Sequence, residues 1–293
     1  MRATFRLLLV ALLLQGLSAV SRADEGAGKV VLGQIALSFY AVTGAVVREV
    51  LERLGHSVEI VQGSHGQIFP RLGAGEVDLL VAAWLPYGHA AYWERYGSQA
   101  EVLVVLYEGA RFAWMVPGYV PADLVGEIDD LKRPEVLERM EKAIQGTGRD
   151  SGNMMVSADV MNAYGLEQAG YRLLPGTLTE FYGNYDRAIA ARAWFVMPLW
   201  FPNFVNRVGD MRPIDDPKGL LGQANEGSLV ASRDWAGRAP ERTLRVLRRM
   251  YVGTDAIEAM DYSVNREKKS PQEAARAWME QNQRIVEAWL ALP

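Results

Sequence analysis

Apolar positions along the chain switch between two periods, and the switch points mark out its elements. Lys29–Ala36 is apolar and β-branched and predicts a strand. Val42, Val46, Val47, Val50, Leu51 and Leu54 then recur at helical spacing, predicting a helix over Ala41–Leu54 that Gly55 stops. His56–Val61 alternates as a second strand, Ile68–Leu72 is a short helix ended by Gly73 and Gly75, and Val77–Ala83 is a continuous apolar run, the mark of a fully buried strand. Strand–helix–strand–helix–strand is the pattern of an α/β unit with a mostly parallel sheet flanked by helices.

Two further strands are predicted over Glu101–Tyr107 and Arg111–Val116, separated by Glu108-Gly109-Ala110, before Pro117-Gly118 and Pro121 break the pattern. The α/β rhythm then restarts: helices over Leu137–Ile144, Ser151–Tyr164 and Leu178–Ala191, a buried strand over Trp194–Leu199, a charged segment Met211–Lys218, and a strand over Ser228–Ser232. Helices are predicted over Pro240–Tyr251, Asp255–Ser263 and Pro271–Leu290, with Pro240 and Pro271 suited to a first helical turn. The second α/β unit is too short to stand without the C-terminal helices. The expected division is therefore a first lobe of 24–117 plus 211–293 and a second of 118–210, with the chain crossing between them more than once.

The N-terminus changes the picture. Arg2 and Arg6 precede the apolar run Leu7–Leu14, and Ser21-Arg22-Ala23 puts small residues where a signal peptidase reads, so 1–23 is expected to be a signal peptide cut before Asp24. The run is shorter than the ~20 residues a membrane span needs. Cysteine is absent, which excludes disulfides, cysteine metal sites and a lipid-modified cysteine behind the leader. An exported, unanchored chain points to the periplasm. About 270 residues would remain, enough for two lobes. The net charge of -4 argues against a nucleic-acid partner, and Arg242, Arg245, Arg248 and Arg249 read as one solvated helix face.

Candidate chemistry sits at strand ends, where ligands of open α/β sheets bind. Phe39 and Tyr40 follow the first strand, Trp84 ends the buried strand before Leu85-Pro86, and Trp200 and Phe201 follow another before Pro202. Ring faces attract a cation, worth ~2 kcal/mol or more when desolvated, and a quaternary ammonium has no ordinary hydrogen bonds to offer instead. The same rings would serve equally as core packing. His56, His65 and His89 show no metal spacing, no G-x-S-x-G elbow occurs, and Gly146-Thr147-Gly148 lacks the lysine of a phosphate loop, so neither catalysis nor a cofactor is indicated. Ser151 is placed to cap the following helix, whose free amides would attract a carboxylate, with Arg149 beside it.

At these residues the sequence resembles the glycine betaine/proline betaine-binding proteins of ABC importers, from about Lys29 to about Asn265. Ala74-Gly75-Glu76-Val77-Asp78, then Ala83-Trp84-Leu85-Pro86 and His89, looks like that family's most specific motif. Met115–Val120, Ile128–Leu131, Tyr164-Gly165-Leu166, Asp186–Ile189, Trp200–Phe204 and Asp215–Lys218 match in order and spacing. The resemblance implies a two-lobed fold of the periplasmic-binding-protein type (type II), a non-catalytic role, and an aromatic cage for a quaternary ammonium between the lobes. It further implies a membrane permease and an ATPase as partners, and the chain is expected to be a monomer. Carried over by position, Trp84 and Trp200 are cage residues, Phe39 or Tyr40 adds a third ring, and His89 matches the motif histidine in a structural or ligand-touching role. Ser151, Gly152 and Asn153 would meet a carboxylate.

The chain departs from the family in two places. The usual W-x-P-H-W becomes Trp200-Phe201-Pro202-Asn203-Phe204, which puts Asn203 where a histidine is usual. The usual glycine-proline-glycine helix start becomes Gly146-Thr147-Gly148-Arg149-Asp150-Ser151-Gly152. Both put the exact ligand in question among glycine betaine, choline, carnitine and proline betaine. An enzyme or a sensor on the same scaffold, or a binder of a different small zwitterion, stays open as an alternative.

Overall fold

Strand β1 (Lys29–Ile35) is buried without alternation over its last four residues, between two neighbouring strands, and leads into α1 (Ser38–Arg53), which buries a nearly continuous apolar face. The computed structural model describes residues 28–291; the expected signal peptide and its cut before Asp24 lie outside the described residues. Gly55 takes φ 90°, a conformation other residues avoid, and turns the chain into β2 (Ser57–Gly63). Then come α2 (His65–Gly73), β3 (Leu79–Leu85) and α3 (Ala90–Tyr96). β2, β1 and β3 lie side by side and parallel, as the first α/β unit requires.

The next strand, β4 (Ala100–Pro117), runs 18 residues without a break. The expected pair of strands is thus a single one. Pairing on its two halves continues across Glu108-Gly109-Ala110, and the register slips there instead of turning. A second region follows: α4 (Pro134–Leu137), β5 (Ala143–Gln145), α5 (Gly152–Ala163), β6 (Arg172–Leu174), α6 (Leu178–Ala190), β7 (Met197–Phe201), α7 (Phe204–Val208) and β8 (Met211–Pro213). The chain returns through β9 (Asn225–Ser232) to α8 (Arg233–Arg238), α9 (Glu241–Leu247), α10 (Thr254–Asn265), α11 (Pro271–Gln281) and α12 (Gln283–Leu290).

The main sheet has the order β2-β1-β3-β9-β4-β7, with β8 also on β4, and β5-β6 form a parallel pair apart. The first half of β4 pairs with β9, while its second half pairs with β7 and β8, all antiparallel. The chain is therefore an α/β protein of two lobes that share one strand. Among the named strands described, parallel pairing is found in β2-β1-β3 and β5-β6, while β9 runs against both of its neighbours, β3 and β4, and β7 runs against β4.

Other expectations shift locally. Leu137–Ile144 is not a helix: α4 stops after one turn, Glu141 donates its amide to the Trp194 carbonyl, and Ile144 joins β5. Pro240 is the N-cap of α9 and not inside it, whereas Pro271 does sit in the first turn of α11. The last predicted helix breaks at Asn282 into α11 and α12. Two polar residues hold the first lobe together. Asp78, buried, accepts from Val31 N at 2.8 Å and pairs with Arg238 at 2.8 Å. His56 bridges Gly28 O (3.0 Å) and Thr243 Oγ1 (2.7 Å), a structural role for a histidine whose chemistry the sequence leaves unassigned.

Candidate functional site

The cleft between the lobes narrows to a small, tightly walled cavity lined mostly by aromatic side chains. Its walls come from strand ends and helix starts. Phe39 and Tyr40 occupy the first turn of α1, one turn beyond β1, and Leu37 precedes them. Trp84 comes from the end of β3 and Trp200 from the end of β7. Phe39 stands between the two indoles, its ring centroid 5.7 Å from Trp84 and 6.0 Å from Trp200, tilted 44° and 48°. Tyr40 adds a ring 6.3 Å from Trp84, and Phe112 of β4 closes the far side at 5.4 Å. Five aromatic rings thus converge on one small space.

Each indole is held differently. Trp84 Nε1 donates to the buried Tyr107 hydroxyl at 2.7 Å, which ties the ring to β4. Trp84 N donates to His89 Nδ1 at 2.9 Å, so the His89 ring is an acceptor there and Nε2 carries its proton. Trp200 stacks on Phe181 at 5.5 Å and 20°. Its Nε1 is buried with no partner, one of four such side-chain atoms among the described residues. The turn after Trp84 is fixed by Asn225, whose Oδ1 accepts from Tyr87 N and Gly88 N, both at 2.8 Å.

The second lobe presents the start of α5. Ser151 is its N-cap, accepting from Met154 N at 3.2 Å and lying 2.9 Å from the Thr147 hydroxyl. Gly152 and Asn153 open the helix, so their amides are among those a helix cannot pair internally. Asn153 Nδ2 donates to Pro198 O at 2.8 Å, which fixes the amide and leaves its buried Oδ1 without a partner. Gly152 is required where it is: a Cβ there would lie 2.4 Å from Gly88 O and 3.2 Å from the Phe112 ring.

No Asp, Glu, Lys or Arg is among the described residues lining this cavity. Its two histidines do not supply charge either. Burial pushes His65 down to about 4 against the pull of Asp150, and burial with the neighbouring His65 pushes His89 well below its usual value. With no charged side chain in that lining, the ring faces are its main attraction for a cation, and the amides at a helix start its main attraction for an anion. Among the described residues no cluster of His, Cys, Asp or Glu could hold a metal ion, and no helix is long and apolar enough to cross a membrane.

The structure brings Phe39, Tyr40, Trp84, His89, Ser151, Gly152, Asn153 and Trp200 together around this cavity. Asn203 is not there. It is buried as the N-cap of α7, where Oδ1 accepts from Val205 N at 3.0 Å and Nδ2 donates to the Tyr182 hydroxyl at 3.0 Å. Asparagine is a preferred cap residue, and that local bond turns the side chain away from the cavity. Arg149 is exposed and lines a separate depression beside Met154 and Met155. The sequence reading missed Leu37, His65, Phe112 and Thr147 as lining residues and Tyr107 and Asn225 as their supports. Strand parity offered a signal only for Phe112.

Comparison with known proteins bears on the family and the fold. A family model described as the substrate-binding domain of ABC-type glycine betaine transport systems (OpuAC) matches residues 28–281. The glycine betaine/carnitine transport binding protein GbuC of Listeria monocytogenes is 21% identical over 152 residues, 52% of this chain. The chain spans about half the length of that curated relative, 50% of it. Lactococcal OpuAC, solved closed with glycine betaine, superposes with TM-score 0.81 at 24% identity, over 90% of this chain and 100% of that one. The glycine betaine/L-proline-binding protein ProX of Borrelia burgdorferi gives TM-score 0.81 at 23%, over 90% and 97%. A choline-binding protein of an ABC transporter, solved with choline, gives 0.79 at 16%, over 91% and 92%. At such identities these structures speak to the fold.

Proposed function

The chain belongs to the family of substrate-binding domains of ABC-type glycine betaine transport systems, and from that premise we propose that it captures glycine betaine in the cavity between its lobes. The family consists of binding domains and not of enzymes, which sets the enzyme alternative aside. One observation carries the ligand class: five aromatic rings face a small cavity lined by no charged residue among those described. A trimethylammonium group would sit against Phe39, Trp84 and Trp200, with Tyr40 and Phe112 closing the cage. Its carboxylate would meet the amides of Gly152 and Asn153 beside Ser151. His89 then acts as a support that fixes the Trp84 backbone.

A second ligand class is favoured by a separate observation. The fixed, buried and unpartnered Asn153 Oδ1 is an acceptor that a carboxylate cannot use and a hydroxyl can, as in choline or carnitine. Calorimetric titration with glycine betaine, choline, carnitine, proline betaine and amino acids tests both. A betaine should bind most tightly. Tighter binding of choline would move the assignment to the hydroxyl-bearing class, and binding of amino acids alone would remove the cage from the site.

The proposal extends to the chain's setting. A leader over 1–23 would export it to the periplasm, where, as a monomer, it would deliver its ligand to a membrane permease driven by an ATPase. The lobes are proposed as 24–117 with 211–293 and 118–210, although β8 (Met211–Pro213) pairs with the second half of β4 beside β7. Mass spectrometry of exported material should find Asp24 first, and a retained Met1 would rule the processing out.

A further inference from the structure

Asp150 lies between the exposed Arg149 and the cap Ser151, and it does not line the aromatic cavity. It reaches across the cleft instead. Its Oδ2 accepts from Gly66 N at 2.8 Å, in the first turn of α2, and its main-chain carbonyl accepts from the Tyr92 hydroxyl of α3 at 2.9 Å. One residue of the second lobe thus bonds two helices of the first. The receiving side is built to stay put. Tyr92 stacks on Phe69 at 4.7 Å and 13°, and Gly66 leaves room where a Cβ would lie 3.1 Å from the carboxylate. A carboxylate at the first turn of α2 also meets the positive end of that helix. Burial works to raise the Asp150 carboxyl, yet hydrogen bonds from Ser64 and Gly66 and the adjacent His65 hold it below its usual value. Two residues on, Gly152 rests against Gly88 O, so 150–152 form a continuous seam between the lobes over the cavity.

We propose that Asp150 is a positioning residue that latches the two lobes over bound ligand, through its carboxylate on Gly66 and its carbonyl on Tyr92, and so sets how slowly the ligand leaves. This rests on the reading of the cleft as the ligand site. The bonds exist only where the two sides meet, so they favour the closed arrangement by their full difference between the two states. Hydrogen bonds to ionised groups are the strong ones, which places the expected effect of losing this one at about tenfold or more in a dissociation rate.

The chain has no cysteine, so Glu94→Cys on α3 and Met155→Cys on α5, both exposed, accept a spin-label pair without competing sites. Label distances and the stopped-flow dissociation of glycine betaine are measured for the parent, Asp150→Ala, Asp150→Asn and Tyr92→Phe. Asp150→Ala should release glycine betaine about tenfold faster or more and lengthen the label distances, with unchanged melting of the ligand-free protein. Asp150→Asn keeps an acceptor for Gly66 N and should recover most of the loss, and Tyr92→Phe should fall between. Release rates within twofold of the parent together with superimposable distances for Asp150→Ala overturn the latch. A parent that responds to no quaternary ammonium overturns the ligand reading instead. In that case the ligand-free distances decide: longer in Asp150→Ala upholds the latch, and identical distributions refute it.

Discussion

Replacing Trp84 in two ways separates its two jobs. The indole is 2% exposed, donates to Tyr107 at 2.7 Å, and faces Phe39, Tyr40 and Phe112. Trp84→Phe keeps a ring face but strands the fully buried Tyr107 hydroxyl. An unsatisfied buried group costs ~1–3 kcal/mol, so the ligand-free protein should lose that much stability while affinity for glycine betaine falls little. Trp84→Ala removes the ring as well. Truncating a buried Trp costs ~3–5 kcal/mol of stability, and the lost cation contact should weaken binding by a further ~2 kcal/mol. The double change Trp84→Phe with Tyr107→Phe removes both hydrogen-bonding partners and should restore part of the stability lost in the single variant. Urea unfolding without ligand gives the first quantity, and calorimetric titration of the folded variants gives the second. Unchanged affinity in folded Trp84→Ala would refute the cage, and an undiminished unfolding midpoint in Trp84→Phe would refute the role given to Tyr107.

Three further outcomes follow from the same geometry. Gly152→Ala places a methyl 2.4 Å from Gly88 O and should weaken glycine betaine binding at least about tenfold by calorimetry, because the start of α5 can no longer close against that turn. Asp261, buried in α10 and accepting from Phe204 N at 2.8 Å, is raised from 3.8 to about 7, chiefly by burial. Its folded pKa lies above its unfolded one, so its contribution is full below pH 3.8 and is lost as pH rises through about 7, on the order of 4 kcal/mol. His65 acts in the opposite sense: lowered from 6.5 to about 4, it contributes stability above pH 6.5 that is lost as pH falls toward 4, on the order of 3 kcal/mol. The two offset one another in the parent, so Asp261→Asn should be more stable at pH 8 and more sensitive to acid between pH 6.5 and 4 in urea titrations. An unchanged pH profile would contradict this.

What the sequence revealed followed from periodicity and local chemistry. α1, β3 and α5 are long, regular segments with clear stops, and the rings of Trp84, Trp200, Phe39 and Tyr40 were found because strand ends are where such sheets bind ligands. What was hidden depends on pairing at a distance. Residues 137–144 carry helical spacing, but Ile144 is drawn into β5 beside β6 and Glu141 onto Trp194. The single strand β4 looked like two because Gly109 suggests a turn, although pairing with β9 on one side and β7 on the other carries the backbone through. Asn203 was placed by position in a matching motif, and its own capping bond directs it elsewhere. Nothing local marks His65, Thr147 or Asn225, which reach the site only when the lobes and the Tyr87–Gly88 turn come together.

The uncharged lining of the cavity fixes how the site answers to salt. Raising ionic strength from 0.1 M to 1 M shortens the screening length from ~10 Å to ~3 Å, which strips strength from exposed ion pairs such as Arg245–Glu241 on α9. Nothing among the described residues of the cage depends on that range. Ring faces and helix-start amides act at van der Waals and hydrogen-bond distance, in a space that bulk ions do not share with a ligand of no net charge. Affinity for a zwitterion should therefore hold nearly constant from dilute buffer to molar salt, and the protein can load its ligand in the concentrated surroundings that would weaken a receptor built on ion pairs.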